Sequence, residues 1–342
     1  MASTQKIIVL RFSAMGDVAM VASVLKEFSE QNPAVDIIMV SRLAFKPFFD
    51  GMPKVQFYAI DPKTQHKGFF GLYKLFTELK TLKPDAIADL HDNLRSRILS
   101  TFFRLSGINI KRIDKGRADK KALTRAVNKI FKPLKQTVER YADAFRQLAF
   151  TVKLSHQLKP DKHKLPEKAA DFFANTTKKK IGISPFAQHK YKIYPLDKME
   201  KVVAELSKTF DLFIFGGGKT EKHIAQQWEK NFSNTYNLIE NFNLTEELAV
   251  ISNLDLMLTM DSSGMHMASL MGIRAVSIWG PTHPFAGFLG YGQSELDCIQ
   301  IDHPARPNSI YGNKPCLCGV ESCMDLIAPE TVVDKIKNIL NA

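Results

Sequence analysis

The chain predicts an α/β protein of two doubly wound halves, each a parallel sheet flanked by helices. Three observations predict it. Short β-branched apolar runs alternate with longer amphipathic stretches, the mark of strand–helix–strand units. The alternation breaks once, over 155–179, in a stretch rich in Lys, Pro and His, and then restarts. At 342 residues the chain has the length for two ordinary domains.

In the first half, strands are expected at 7–12, 36–40, 55–60, 86–90 and 108–113. Helices are expected near 17–30, 70–82, 94–106 and 138–151. The helix at 17–30 puts Val18, Val21, Ala22, Leu25 and Phe28 on one face, a 3.6-residue period. In the second half, strands fall at 180–184, 212–215, 254–259 and 275–279. Helices fall near 196–208, 220–231, 245–252 and 263–271. The expected domains are 1–160 and 178–329, with a terminal helix over 330–342. Doubly wound sheets take ligands outside the carboxyl ends of their strands, so a ligand cleft is expected between the halves.

The composition, 45% hydrophobic and 24% charged, is that of a globular protein. No apolar run reaches the roughly 18–20 residues of a membrane span. The first ten residues lack the features of a secretory signal, so the expected location is the cytoplasm. The net charge of +12 is uneven: residues 1–165 carry 30 Lys/Arg against 15 Asp/Glu, and 166–342 carry 17 against 20. A basic first half suits an anionic partner, whether phosphorylated lipid, membrane surface or nucleic acid. Ten Lys/Arg fall within 111–135 alone. That run reads either as a solvated helix face or as an attractor of anionic lipid.

Arg11-Phe12-Ser13-Ala14-Met15-Gly16-Asp17-Val18 ends the first strand and opens a helix at about Asp17. Gly16 suits a tight turn there. Asp17 reads either as a helix cap or as a general base at the cleft mouth. Thr259-Met260-Asp261-Ser262-Ser263-Gly264-Met265-His266 makes the same strand-to-helix passage. Ser262, Ser263 and Gly264 offer backbone N–H groups and hydroxyls, and His266 adds a donor, which together suit a diphosphate. An ordinary capped turn is the other reading.

Lys192, in the loop after the strand at 180–184, could neutralise a leaving diphosphate. Gly216-Gly217-Gly218-Lys219-Thr220-Glu221 tempts a phosphate-loop reading. The motif needs glycine at 213, which is Phe213, so it fails. Glu221 could bind a ribose hydroxyl or serve the helix dipole. Asp89 to Arg97 gathers polar groups after the fourth strand, Arg95 and Ser96 among them. Cys316, Cys318 and Cys323 depart from the usual metal spacing, so packed thiols are expected and no metal site.

Taken together these segments resemble glycosyltransferase family 9, the ADP-heptose:lipopolysaccharide heptosyltransferases. The matching pieces are 11–18, 89–96, 192–195 and 261–266, then Trp279-Gly280-Pro281-Thr282-His283-Pro284 and the late Cys316…Cys323-Met324…Pro329-Glu330 pattern. The family phrase Asp-Ser-Gly-x-Met-His differs here, with Ser263 and Gly264 in its third and fourth places. The resemblance implies a GT-B fold, two Rossmann-like doubly wound domains facing a central cleft. It implies acceptor on the first domain and nucleotide-sugar on the second, with inversion and without metal or cofactor. The absence of any Asp-x-Asp accords with that. By resemblance Asp17 is the catalytic base and Lys192 lies near the donor phosphates. Asp261 contacts the donor sugar, and Ser262, Ser263, Gly264 and His266 cradle the diphosphate. Glu221 is a further donor-side candidate. Ser13, Gly16, Arg95 and Ser96 are acceptor-side.

The expected reaction moves a heptose from a nucleoside-diphosphate donor, ADP-heptose by resemblance, to an anionic lipid-linked core saccharide. The enzyme is then placed at the inner membrane surface through its basic first half, with no nucleic-acid partner. Two other readings exist: a sugar-nucleotide 2-epimerase of the same architecture, and a non-enzymatic basic module binding nucleic acid. Phe131 is the one aromatic within 111–135, which argues against base stacking. No pattern in the chain specifies the oligomeric state.

Overall fold

The computed structural model describes residues 5–174 and 177–341. The polar lead 1–4, residues 175–176 of the expected linker and the terminal Ala342 lie outside the described residues. Among the described residues no helix is long and apolar enough to cross a membrane.

The first body opens with β1 (Gln5–Leu10), α1 (Met15–Gln31), β2 (Val35–Arg42) and β3 (Val55–Ile60). It continues with α2 (Gly68–Lys80), β4 (Ala86–Asp89), α3 (Leu94–Leu105) and β5 (Asn109–Arg112). After α4 (Arg117–Thr124), which packs with the second body, α5 (Thr137–Arg146) completes it. The five strands are parallel in the order β3-β2-β1-β4-β5. Ile8, Leu10, Ile38, Val40 and Ile87 meet Leu72, Leu75, Leu79, Leu99 and Phe103 of α2 and α3 in one core. The chain reverses its progress across the sheet between β1 and β4. Ligands of doubly wound sheets bind at such a reversal.

The second body begins with α6 (Glu167–Ala174), β6 (Lys180–Ser184), α7 (Leu196–Leu206), β7 (Asp211–Ile214), α8 (Lys219–Asn231) and β8 (Thr235–Asn237). Next come α9 (Leu244–Ile251), β9 (Leu256–Met260), α10 (Ser263–Leu270), β10 (Ala275–Ile278) and β11 (Cys298–Ile299). A small hairpin of β12 (Leu317–Cys318) and β13 (Glu321–Ser322) precedes α11 (Pro329–Asn341). Six parallel strands run β11-β10-β9-β6-β7-β8, reversing between β6 and β9. Val332, Val333 and Ile336 sink α11 into the same core as Met199, Val202 and Val203 of α7.

Residues 116–136, counted with the first half on composition, group with the second body, while 137–155 return to the first. Lys120 is buried with its ammonium over the Phe288 ring, 4.2 Å from the centroid. Leu134 N–H donates to the Phe285 carbonyl at 2.9 Å. Lys120 of the basic run is therefore a packing residue, and 116–136 does not add its charge to the first body.

Candidate functional site

In the first body the ends of β1 and β4 are joined by side chains. Asp89 is fully buried and accepts the N–H groups of His91 and Asp92 at 3.0 and 2.9 Å and the Ser100 hydroxyl at 3.3 Å. That carboxylate shapes the loop after β4. His91 Nδ1 accepts the Phe12 N–H at 3.2 Å, tying that loop to the one after β1. This bond needs the neutral ring. Burial, then the charges of Arg11 and Lys115, push the His91 pKa down to about 3.

Arg11 donates to the Leu90 carbonyl at 2.8 Å and ion-pairs with Asp17. Asp17 is the third residue of α1, and its carboxylate also receives the Ala14 N–H at 3.4 Å and the Tyr141 hydroxyl at 3.4 Å. It thus serves the helix start and remains 26% exposed, within reach of a ligand. The helix starts at Met15, two residues before the expected position, so Gly16 lies in its first turn and not at a tight turn. Ser13 is half-buried in the preceding loop and Arg95 is exposed on α3.

Ser96 requires a correction. It is fully buried, and its hydroxyl accepts the Asn93 N–H at 3.1 Å and donates to the Asn93 carbonyl at 3.2 Å. Its own N–H donates to Asn93 Oδ1 at 2.9 Å. Ser96 is half of a reciprocal helix cap, not a surface for an acceptor.

In the second body the corresponding junction lies between β6 and β9. Lys192, in the 3₁₀ turn Lys190–Lys192, places Nζ 2.8 Å from Asp261 Oδ2, with the two side chains 16% and 7% exposed. Ser262 is the residue before α10, yet its side chain caps nothing and its hydroxyl lies 3.3 Å from that of Thr259. The opening N–H groups of α10 therefore receive no cap from it, and they carry the positive end of the helix dipole.

Gly264, in the fourth place of the family phrase, is held by close packing. A Cβ there would stand 2.6 Å from Ser184 Oγ and 2.9 Å from Thr259 Oγ1. The first turn of α10 presses directly onto the ends of β6 and β9, and only glycine fits at the fourth place. His266 is buried on the same helix. Glu221, in the first turn of α8, accepts the Gly217 N–H at 2.8 Å, and burial raises its pKa. It shapes the glycine loop.

The loop after β10 is held by a residue that sequence reasoning missed. Arg306 is buried and donates to the carbonyls of Trp279, Gly280, Ile301 and Thr282 and to Gln300 Oε1. Next to it, burial, then the charges of Arg306 and Lys129, push the His283 pKa down to about 4, and its Nδ1 accepts the Phe285 N–H. Phe131 meets the His283 ring edge-on at 5.0 Å.

The chain spans about half the length of the first curated relatives it matches. One is lipooligosaccharide heptosyltransferase 2 of Campylobacter jejuni, 27% identical over 168 residues, which are 48% of this chain and 51% of that one. The lipopolysaccharide core heptosyltransferase OpsX of Haemophilus influenzae is 24% identical over 290 residues, 81% of this chain and 79% of that one. Among solved structures, a glycosyl transferase family 9 protein from Veillonella parvula superposes with a TM-score of 0.75 at 18% identity. That match covers 100% of this chain and 98% of that one. The family model for glycosyltransferase family 9 (heptosyltransferase) matches residues 72–308. That stretch takes in the loop after β4, Lys192, the β9–α10 junction and the loop held by Arg306, and the chain belongs to glycosyltransferase family 9.

Proposed function

We propose that the protein transfers a heptose from ADP-heptose to a hydroxyl of a lipopolysaccharide or lipooligosaccharide core, in one inverting displacement without a catalytic metal. The observation that carries this reading is the β9–α10 junction. Lys192 beside Asp261, the buried His266 and a helix start that Ser262 does not cap all belong to this junction, and such groups suit a diphosphate. The family's own activity and the names of the curated relatives support the sugar and the acceptor class.

The acceptor oxygen attacks the anomeric carbon and forms the new glycosidic bond. The bond from that carbon to the diphosphate oxygen breaks, and the nucleoside diphosphate carries off the electron pair. Asp17 takes the acceptor proton, with Arg11 and Tyr141 holding its carboxylate. Lys192, His266 and the α10 N-terminus meet the charge growing on the leaving group. A diphosphate leaves without protonation, so a second carboxyl acid is not needed. Asp261 orients Lys192 and contacts the donor sugar. Glu221 sits on the nucleoside side, and Ser13, Gly16 and Arg95 line the acceptor side.

A peripheral position on the cytoplasmic membrane face accords with an exposed aromatic patch on the first body. Phe69, Phe70 and Tyr73 of α2 are 58%, 86% and 51% exposed. Lys67 and Lys74 flank them in sequence. Such a pattern suits an anionic lipid interface.

The test is a thermal-shift and turnover screen of nucleoside diphosphates and their sugar conjugates. ADP and ADP-heptose raise the melting temperature, and ADP is released only when a core acceptor is present. Preference for a uridine donor rejects the assigned nucleotide. Epimer formation without acceptor rejects transfer.

A further inference from the structure

The spacing of Cys316, Cys318 and Cys323 argued for packed thiols, but the hairpin changes its meaning. The register pairs Leu317 with Ser322 and Cys318 with Glu321. One step further, Cys323 N–H donates to the Cys316 carbonyl at 3.0 Å. Cys316 and Cys318 are two residues apart on an extended strand, so they share a face, and Cys323 stands opposite Cys316 on that face. The three sulfur atoms lie within 4.8 Å of one another. A tetrahedral Zn2+ with bonds of about 2.3 Å holds its sulfurs about 3.8 Å apart, so small side-chain rotations close the set.

A second observation, independent of spacing, concerns charge. Arg306 is 3% exposed, and its acceptors are four carbonyls and one amide oxygen. None of the ion pairs among the described residues includes it. A buried guanidinium whose hydrogen-bond acceptors are all neutral is costly, and the Asp302 carboxylate acts on it only from beyond ion-pair distance. The ionisable groups that act on it most strongly are Cys323, Cys316 and Cys318, in that order. Lys129, which donates to the Pro304 and Arg306 carbonyls, also faces Cys316. Three thiolates around a divalent ion carry one net negative charge, which Arg306 then balances.

We propose that Cys316, Cys318 and Cys323 bind one thiophilic divalent metal ion, Zn2+ or Fe2+, as a structural three-thiolate site with its fourth position open to solvent. Binding releases the thiol protons. Cys316 and Cys323 are buried, and Cys318 forms the half-exposed rim. Met324, next to Cys323, lies under Gly280, where an added Cβ would approach its Cε to 2.9 Å. The ion therefore staples the hairpin beneath the loop after β10. This role is distinct from the transfer chemistry and does not depend on the donor assigned above.

The full-length chain, purified under reductant, is titrated with Co2+ and then Zn2+. One equivalent of Co2+ should produce a thiolate-to-cobalt charge-transfer band and tetrahedral d–d bands, both lost when Zn2+ displaces it. Bound Zn2+ should shield the three cysteines, but not Cys298, from alkylation read by mass spectrometry. Cys318→Ser should weaken the metal on the order of 100-fold, and Cys298→Ser should leave it unchanged. The alkylation readout on the unmutated chain decides the matter if Cys318→Ser fails to fold. The absence of a charge-transfer band overturns the proposal. So does equal alkylation with and without Zn2+, or a disulfide joining two of the three in protein trapped from reducing cells.

Discussion

Replacing Lys192 by methionine separates the structural and chemical parts of the proposed donor site. The ammonium sits 2.8 Å from Asp261, and the two side chains are 16% and 7% exposed. At an effective dielectric of about 20 the gross attraction is about 6 kcal/mol, much of it offset by desolvation of both ions. Removing the cation alone leaves a buried carboxylate uncompensated, at a cost of about 2–4 kcal/mol. That corresponds to a melting temperature about 5–10 °C lower for a body of this size. Adding Asp261→Asn to Lys192→Met removes the stranded charge and should restore most of that loss. Turnover behaves differently. The cation proposed to meet the leaving diphosphate is gone in both variants, which should cost about 10²–10³ in kcat. The assay is ADP release at saturating donor, run well below the melting temperature of each variant. Full turnover in folded Lys192→Met, or recovery of turnover with stability in the double variant, refutes the reasoning.

Gly264→Ala should force the first turn of α10 off β6, where the added carbon meets Ser184 Oγ at 2.6 Å. Overpacking of this kind costs about 1–3 kcal/mol, and ADP affinity should fall with it in calorimetry. Gly217→Ala, whose Cβ would meet nothing within 4 Å, is the control. His91 is a base whose pKa is depressed in the fold to about 3. Its contribution is therefore complete above about pH 6.5 and is lost as pH falls towards 3, at up to about 1.4 kcal/mol per pH unit. Denaturation of His91→Asn across that range should show a shallower acid slope than the parent, and an identical slope contradicts the assignment. Replacing Phe69 and Phe70 by serine should lower binding to anionic vesicles at least about tenfold in co-sedimentation, with turnover on a soluble acceptor unchanged.

The parallel sheets were legible because alternation of strand and helix is a local pattern, and β1, β4, β6 and β9 fall where the apolar runs stand. Segment 116–136 was misplaced because its composition says nothing about which body it packs against. The short strands β8 and β11 carry too few residues to leave a period, and α6 lies inside the Lys-, Pro- and His-rich stretch that reads as a break. Of the proposed site, Asp17, Lys192 and Asp261 stand out through motif order. Arg11 stood inside a quoted motif, but its ion pair with Asp17 depends on how the loop after β1 folds back. Tyr141 left no signal because it reaches Asp17 across 124 residues, and Arg306 left none because its acceptors are mostly backbone carbonyls, which no residue type marks. Ser96 looked like a binding hydroxyl because its motif context is the same whether it faces solvent or closes a helix cap. The three cysteines looked off-pattern because hairpin register, not sequence spacing, brings them together.

The central claim is that Asp17 removes the acceptor proton. Asp17→Asn keeps the shape of the Arg11 contact and the helix start, so donor affinity measured by calorimetry should stay at the parent value. Single-turnover transfer from ADP-heptose to a core acceptor should fall by about 10²–10⁴. A transfer rate close to that of the parent would contradict the account.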